Sequence, residues 1–150
     1  MPTKSHKDPS VCSATALRKA MRRVTQLYDS ALAPAGLTVN QYSLLVELSR
    51  SRDLAPTVTE LAAMMVMDRS GLGHTLGPLI RDGLIALAVN PADARSRQVV
   101  MTAKGKALQK KASLLWSRAQ ETFRAAVGTA NAIELQSTGR FVSSSRTEVA

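Results

Sequence analysis

The sequence has one cysteine, Cys12, so no disulfide can form within the chain, and a lone thiol fits a reducing cytoplasm. No apolar run approaches the ~18 residues that a membrane-spanning helix needs. The first ten residues, MPTKSHKDPS, lack an apolar h-region and are not expected to act as a secretory signal. They are polar, and they read as unordered. Histidine occurs only at His6 and His74, and there is no HExxH, CxxC, Walker loop or nucleophile elbow. Catalytic residues, metal ligands and a cofactor are therefore not expected, and an enzyme is the least favoured class. Acidic residues are also short: 11 Asp and Glu face 20 Lys and Arg, a net charge of +9. Such a surplus suits a polyanionic partner, nucleic acid or an anionic membrane surface, and nothing in the sequence is long and apolar enough to span a bilayer.

The stretch 57–101 organises what is present. Two short helical segments, TVTELAAMM and DRSGLGHTLGPLIRD, precede two alternating runs joined by a polar turn. Thr57 and Glu60 have capping-box spacing, Leu61 opens an apolar helix, and Asp68 can cap the next one. Gly83 ends that helix. Ile85, Leu87 and Val89 then alternate, as do Val99 and Met101, which predicts strands with one buried face. The turn between them holds Pro91, Asp93, Arg95 and Arg97. A helix pair followed by a β-hairpin is the pattern of a winged helix-turn-helix, which places its second helix in a DNA major groove.

The flanks read as helices. From Val11, Leu17, Met21, Val24 and Tyr28 recur at helical spacing, with Arg18, Lys19, Arg22 and Arg23 opposite, until Pro34 and Gly36. Thr38 and Gln41 form another capping box, with Leu37 and Tyr42 at the hydrophobic-staple positions. Leu44, Leu45 and Leu48 supply the core face, and a polar connection runs from Ser51 to Pro56. Thr102 caps a long helix with the stripe Leu108, Leu115, Ala119, Phe123 and Val127. Gly128 breaks it before a weakly amphipathic helix over 131–145. The expected fold is a single domain over 1–150, mainly α with a small β-hairpin: a winged helix-turn-helix on a helical frame.

In the second helix of the pair, Arg69, Ser70, His74 and Thr75 offer donors and acceptors for phosphates and base edges. Leu72, Leu76, Leu79 and Ile80 would face inward. Arg81 suits a phosphate contact or a surface ion pair. Gly71, Gly73 and Gly77 each cost ~0.8–1 kcal/mol relative to Ala, and Pro78 removes a helix amide. Glycine also lets backbone approach DNA closely. Specificity should therefore lean on DNA shape and on the wing, where Arg95 and Arg97 can reach a minor groove. Asp93 is placed to hold the Arg95 guanidinium. The candidate DNA-binding set is Thr57, Arg69, Ser70, Gly71, His74, Thr75, Arg81, Asp93, Arg95 and Arg97.

Glu60-Leu61-Ala62, Gly83-Leu84-Ile85, Asp93-x-Arg95 and Met101-Thr102-x-x-Gly105 occur in the order found in the MarR family of bacterial transcription regulators. The chain resembles that family over about 11–145. The resemblance implies dimerisation helices over 11–36 and 102–145 and a DNA-binding winged unit over 37–101. It also implies a homodimer on palindromic double-stranded DNA, usually a repressor released by a small phenolic or carboxylate ligand or by oxidation.

Ligands in such proteins bind between the dimerisation helices and the winged unit. Arg18 or Arg22 could meet an anionic group, with Tyr28, Tyr42 and Trp116 for ring contact; these aromatics are equally core candidates. Cys12 offers a thiol-sensing alternative, because one branch of the family uses a cysteine early in its first helix. No Lys or Arg lies three or four residues after Cys12, so only the helix N-terminus could lower its pKa. A third reading, from another class, is a constitutive architectural or RNA-binding winged helix with no effector and little sequence preference. A footprint confined to one palindrome separates it from the first.

Overall fold

The computed structural model describes residues 12–51 and 54–145. The expected unordered N-terminus and the helix start at Val11 lie outside those residues. Helix α1 spans Ser13–Leu32, with Cys12 at its N-cap. It gives way to a 3-10 turn, Ala33–Ala35, because Pro34 cannot continue the α-helical hydrogen bonds. Gly36 then takes φ +68°, a left-handed conformation suited to glycine.

Thr38 starts α2, Val39–Arg50, through the expected capping box: its hydroxyl accepts the Gln41 amide at 3.2 Å, and Gln41 Oε1 accepts the Thr38 amide at 2.9 Å. Asp29 Oδ1 accepts the Val39 amide at 2.7 Å, which ties α1 to the start of α2. Leu37 and Tyr42, the two staple residues, are both buried. Helix α3, Val58–Met64, and helix α4, Arg69–Arg81, form the helix-turn-helix. Between them Val66 sits at φ +51°. That conformation costs a β-branched residue about 1–2 kcal/mol, so neighbouring contacts must hold it. The Met67 amide bonding to the Ala62 carbonyl at 2.9 Å is one of them.

Strands β1, Ile85–Asn90, and β2, Asp93–Met101, form an antiparallel hairpin with Ile85 opposite Met101 and Leu87 opposite Val99. The stretch expected to be a turn is mostly strand, and only residues 91 and 92 connect the two. The expected buried face is also limited to the hairpin's base. Ile85 and Val99 are buried, whereas Leu87 and Val89 are exposed. The hairpin projects beyond the core, so alternation continues where there is nothing to pack against. The edge of β2 pairs with the segment that leads into α3: the Val99 amide bonds to the Pro56 carbonyl at 2.8 Å, and Thr57 bridges Gln98.

Thr102 caps α5, Ala103–Val127, accepting the Gly105 amide at 3.0 Å and donating to the Gly83 carbonyl at 2.7 Å. Gly105 is buried, and glycine is required there because a Cβ would collide with the Leu84 carbonyl. One residue type thus lets the frame helix seat against the end of the winged unit. Helix α6, Thr129–Ser144, begins two residues earlier than expected and buries only Ala132.

The main core joins Leu32, Leu44, Leu45, Leu48, Leu61, Leu72, Leu79, Ile85 and Val99, so the frame and the winged unit share one apolar interior. Truncating any of these leucines to Ala should cost about 2–5 kcal/mol. A second cluster, Tyr28, Ala119, Phe123 and Ala132, holds α1, α5 and α6 together. No helix of the described residues is long and apolar enough to cross a membrane.

Candidate nucleic-acid interface

Helix α4 is amphipathic in the sense a reading helix requires. Leu72, Leu76 and Leu79 are buried against the core, while Arg69, Ser70, His74 and Arg81 are exposed. Ile80, expected to pack inward, is 39% exposed, because its position turns it away from the Leu72–Leu76–Leu79 stripe. The helix runs through Pro78 as one element.

The glycines divide into two kinds. The Gly71 amide donates to Asp68 Oδ1 at 2.6 Å, and a Cβ at Gly71 would lie 2.8 Å from that oxygen. Gly71, placed with the DNA-contacting residues from sequence, therefore also fits the N-cap. A Cβ at Gly73 or Gly77 would meet nothing within 4 Å. Both are exposed, and they leave the outward side of α4 low.

Two other candidates are engaged within the protein. The Thr75 hydroxyl donates to the Gly71 carbonyl at 3.2 Å and is half-buried. Thr57 is the N-cap of α3, held in reciprocal bonds with Glu60: its amide donates to Glu60 Oε2 at 2.7 Å. Those bonds hold the Glu60 carboxyl below its ordinary range, the Thr57 amide contributing most. Arg81 pairs with Asp82 at 3.4 Å on the surface, a contact of small energetic weight.

At the wing, the structure corrects one expected contact. Asp93 Oδ1 accepts the backbone amide of Arg95, not its guanidinium. The Arg97 guanidinium folds back onto the Ala94 and Ser96 carbonyls at 2.9 and 3.2 Å. A register irregularity after Val89 lets this segment bulge, and Asn90 braces it through the Ala92 amide and the Ser96 hydroxyl. Among the described residues, Arg95 is the wing arginine whose guanidinium has no protein partner. Sequence alone missed the bracing by Asn90 and Ser96, although Asn before Pro91 is itself a turn signal.

The residues grouped as an effector site are dispersed. Tyr42 and Trp116 stack with ring centroids 6.3 Å apart, and they line a groove of about 310 Å³ with Ser43, Val46, Glu47 and Gln109. Burial raises the Tyr42 pKa, and a hydrogen bond with Gln109 opposes the shift. Gln109 was not singled out from sequence. Its place two helical turns before Trp116, on the same face, was the available signal. Tyr28 lies elsewhere, packed against Phe123 with its hydroxyl donating to Gln120; burial raises its pKa, against the pull of Arg124. Arg22 lines a separate concavity with Lys19, Arg23 and Gln26, and Arg18 is exposed on the same helix. Cys12 is exposed at the N-cap of α1, and the nearby Thr15 amide, Thr15 side chain and Ala14 amide lower its pKa without making a capping hydrogen bond.

Comparison with known proteins agrees with this architecture. Residues 35–96 match the model of the MarR family. The crystal structure of the Mycobacterium tuberculosis transcriptional regulator MosR in complex with DNA is similar at 36% identity and a TM-score of 0.75, covering 90% of this chain and 98% of that one. The transcriptional repressor CouR, bound to a 23-mer DNA duplex, is similar at 26% identity and a TM-score of 0.78, over 94% and 99%. The transcriptional activatory protein BadR of Rhodopseudomonas palustris is 35% identical over 82 residues, 51% of this chain. That match spans 44% of BadR's length. With the helix-turn-helix, the hairpin wing and the flanking helices in the same order along the chain, the protein belongs to the MarR family of transcriptional regulators.

Proposed function

We propose that the protein is a homodimeric regulator that binds palindromic double-stranded DNA and represses transcription until a small aromatic or phenolic carboxylate ligand releases it. The observation that carries this reading is the outward face of α4. The helix buries three leucines on its inner side, presents Arg69, Ser70 and His74 outward, and is followed by a wing with an unengaged arginine. Two relatives of known structure, MosR and CouR, are seen on DNA. Repression follows the CouR precedent, a similar chain over nearly its whole length, whereas the activatory protein BadR matches about half of this chain.

Dimerisation is supported by apolar side chains that the single chain leaves uncovered. The α1 stripe that buries Tyr28 continues outward to Met21 and Leu17, which are exposed, as are Phe141 and Val142 on α6. Apolar surface of this extent at two chain ends suits an interface between copies. The effector is assigned to the Tyr42–Trp116 groove, whose stacked rings can extend onto a planar ligand.

Footprinting on the DNA around the gene is the test. Protection of one palindrome, lost when the effector is added, is the expected result. Uniform, salt-labile coverage of any duplex would replace this reading with an architectural one.

A second reading, release by oxidation of Cys12, is favoured by one observation: the thiol is exposed at a helix N-cap that lowers its pKa.

A further inference from the structure

Helical period sets four residues of α4 on one ridge, Ser70, His74, Gly77 and Arg81, opposite the buried stripe of Leu72, Leu76 and Leu79. All four are exposed, and they differ in what they can offer a base edge. Ser70 is short, and its hydroxyl both donates and accepts, so it discriminates weakly between bases. Gly77 has no side chain, and a Cβ there would meet nothing within 4 Å. Arg81 stands in the last turn with its guanidinium paired to Asp82 at 3.4 Å. Arg69 lies about 100° round the helix from Ser70, off the ridge and toward a flanking phosphate. The Thr75 hydroxyl donates to the Gly71 carbonyl at 3.2 Å. His74 remains, at mid-ridge, with open space around Gly73 and Gly77 on either side.

We propose that His74 is the residue by which α4 discriminates between bases, and that the base it reads is guanine. The assignment rests on operator binding through α4, as proposed above, and names what that binding reads.

A neutral imidazole carries one N–H donor and one acceptor nitrogen. The negative potential of the DNA turns the N–H, the positive end of the ring, toward the groove floor. Guanine meets it there with two adjacent acceptors, N7 and O6. Adenine sets its N6 amino donor beside N7, thymine sets a methyl group beside O4, and cytosine presents only the N4 donor. An inward N–H is therefore met best by guanine. Histidine is a short reader, so the backbone that carries it must come close to the groove floor. Glycine at 73 and 77 allows that approach, where longer neighbours would hold the ring away.

Selection from a randomised DNA duplex pool by the full chain, followed by sequencing, tests the assignment. Wild type should enrich a palindrome with guanine fixed at one position of each half-site. His74→Ala should lose about tenfold of that guanine preference, the scale of one base contact, and keep the preferences elsewhere. Ser70→Ala should keep the guanine. His74→Asn should move the preference to adenine, whose N6 and N7 an amide meets as a pair. In fluorescence anisotropy, 7-deazaguanine at that position, which lacks the N7 acceptor, should weaken wild type several-fold and leave His74→Ala unaffected. The side chain is exposed, so the melting temperatures of the variants should not fall. A palindrome that His74→Ala selects with the same guanine preference would overturn the proposal and leave operator binding intact. So would a wild-type palindrome with no fixed guanine. If His74→Ala binds too weakly to select, His74→Asn decides: adenine in place of guanine supports the assignment, and unchanged guanine overturns it. Enrichment of no sequence by wild type would remove the operator reading itself, and this assignment with it.

Discussion

Asp93 Oδ1 accepts a hydrogen bond from the backbone amide of Arg95 at 2.9 Å. The carboxylate thus shapes the chain that carries Arg95 and leaves its guanidinium free for a phosphate or a groove. Arg95→Ala should weaken operator binding by about 1–3 kcal/mol and lower the log–log salt slope by about one, because one fewer cation displaces counterions. Asp93→Ala should weaken binding less and keep the slope, since it removes a brace and not a DNA cation. Fluorescence anisotropy at several salt concentrations measures both. Unchanged affinity in folded Arg95→Ala would make the wing a solvated loop.

Gly73 and Gly77 sit in a helix with open space where a Cβ would go. Packing within the chain does not require them, and each costs the helix about 0.8–1 kcal/mol relative to Ala. Gly77→Ala should therefore raise the melting temperature by roughly 2–4 °C. It should lower operator affinity, because the added methyl holds α4 away from the groove floor. A variant that is both more stable and a tighter binder would contradict the close-approach role.

Glu60 links stability to pH. Its folded pKa is lowered by bonds from Thr57, so the unfolded chain takes up the proton more readily. The contribution is then fully present above the unfolded value, near 4.5, and is lost as pH falls through the lower folded value. Glu60→Gln should remove that part of the acid dependence, leaving a shallower fall in melting temperature below pH ~4.5 than in wild type. Parallel acid limbs for the two proteins would assign the dependence to other groups.

Cys12→Ser should keep operator binding and effector response, because serine is a good N-cap for α1 and the groove proposed for the effector lies on α2 and α5. The decisive comparison adds hydrogen peroxide to the protein–DNA complex. Release of wild type with retention of the mutant would move the sensor to the thiol.

Leu17 and Met21 continue the buried stripe of α1 into solvent. Light scattering should give a mass twice the chain's 16.1 kDa. Met21→Asp should shift the mass toward the monomer by placing a charge in the apolar interface. A monomeric wild type at micromolar concentration would remove the dimer from the proposal.

The local elements were legible because their causes are local. Thr38 with Gln41, Thr57 with Glu60, Asp68 and Thr102 all cap the helices that they mark in sequence, since a cap needs only residues three positions apart. The order of these elements, with the family motifs, was enough to identify a winged helix-turn-helix. Burial was less legible. Alternation predicted a buried face for all of β1, yet only its base is covered, because what covers a strand comes from elsewhere in the chain.

The site residues divide along the same line. Exposure of Arg69, Ser70 and His74 followed from helical period alone, once Leu72, Leu76 and Leu79 were taken as the inner stripe. Which partner Asp93 chose, backbone amide or guanidinium, depended on the bulge that brings Arg95 round. The aromatic grouping depended on packing: Tyr42 meets Trp116 across two helices, while Tyr28 is claimed by Phe123 and Gln120. Sequence by itself determined the elements, their caps and the fold class, through interactions that span a few residues. Only the tertiary structure decided that Pro56 meets Val99 and that Glu47 shares a groove with Gln109 and Trp116, because those contacts join distant segments whose separation no local periodicity encodes.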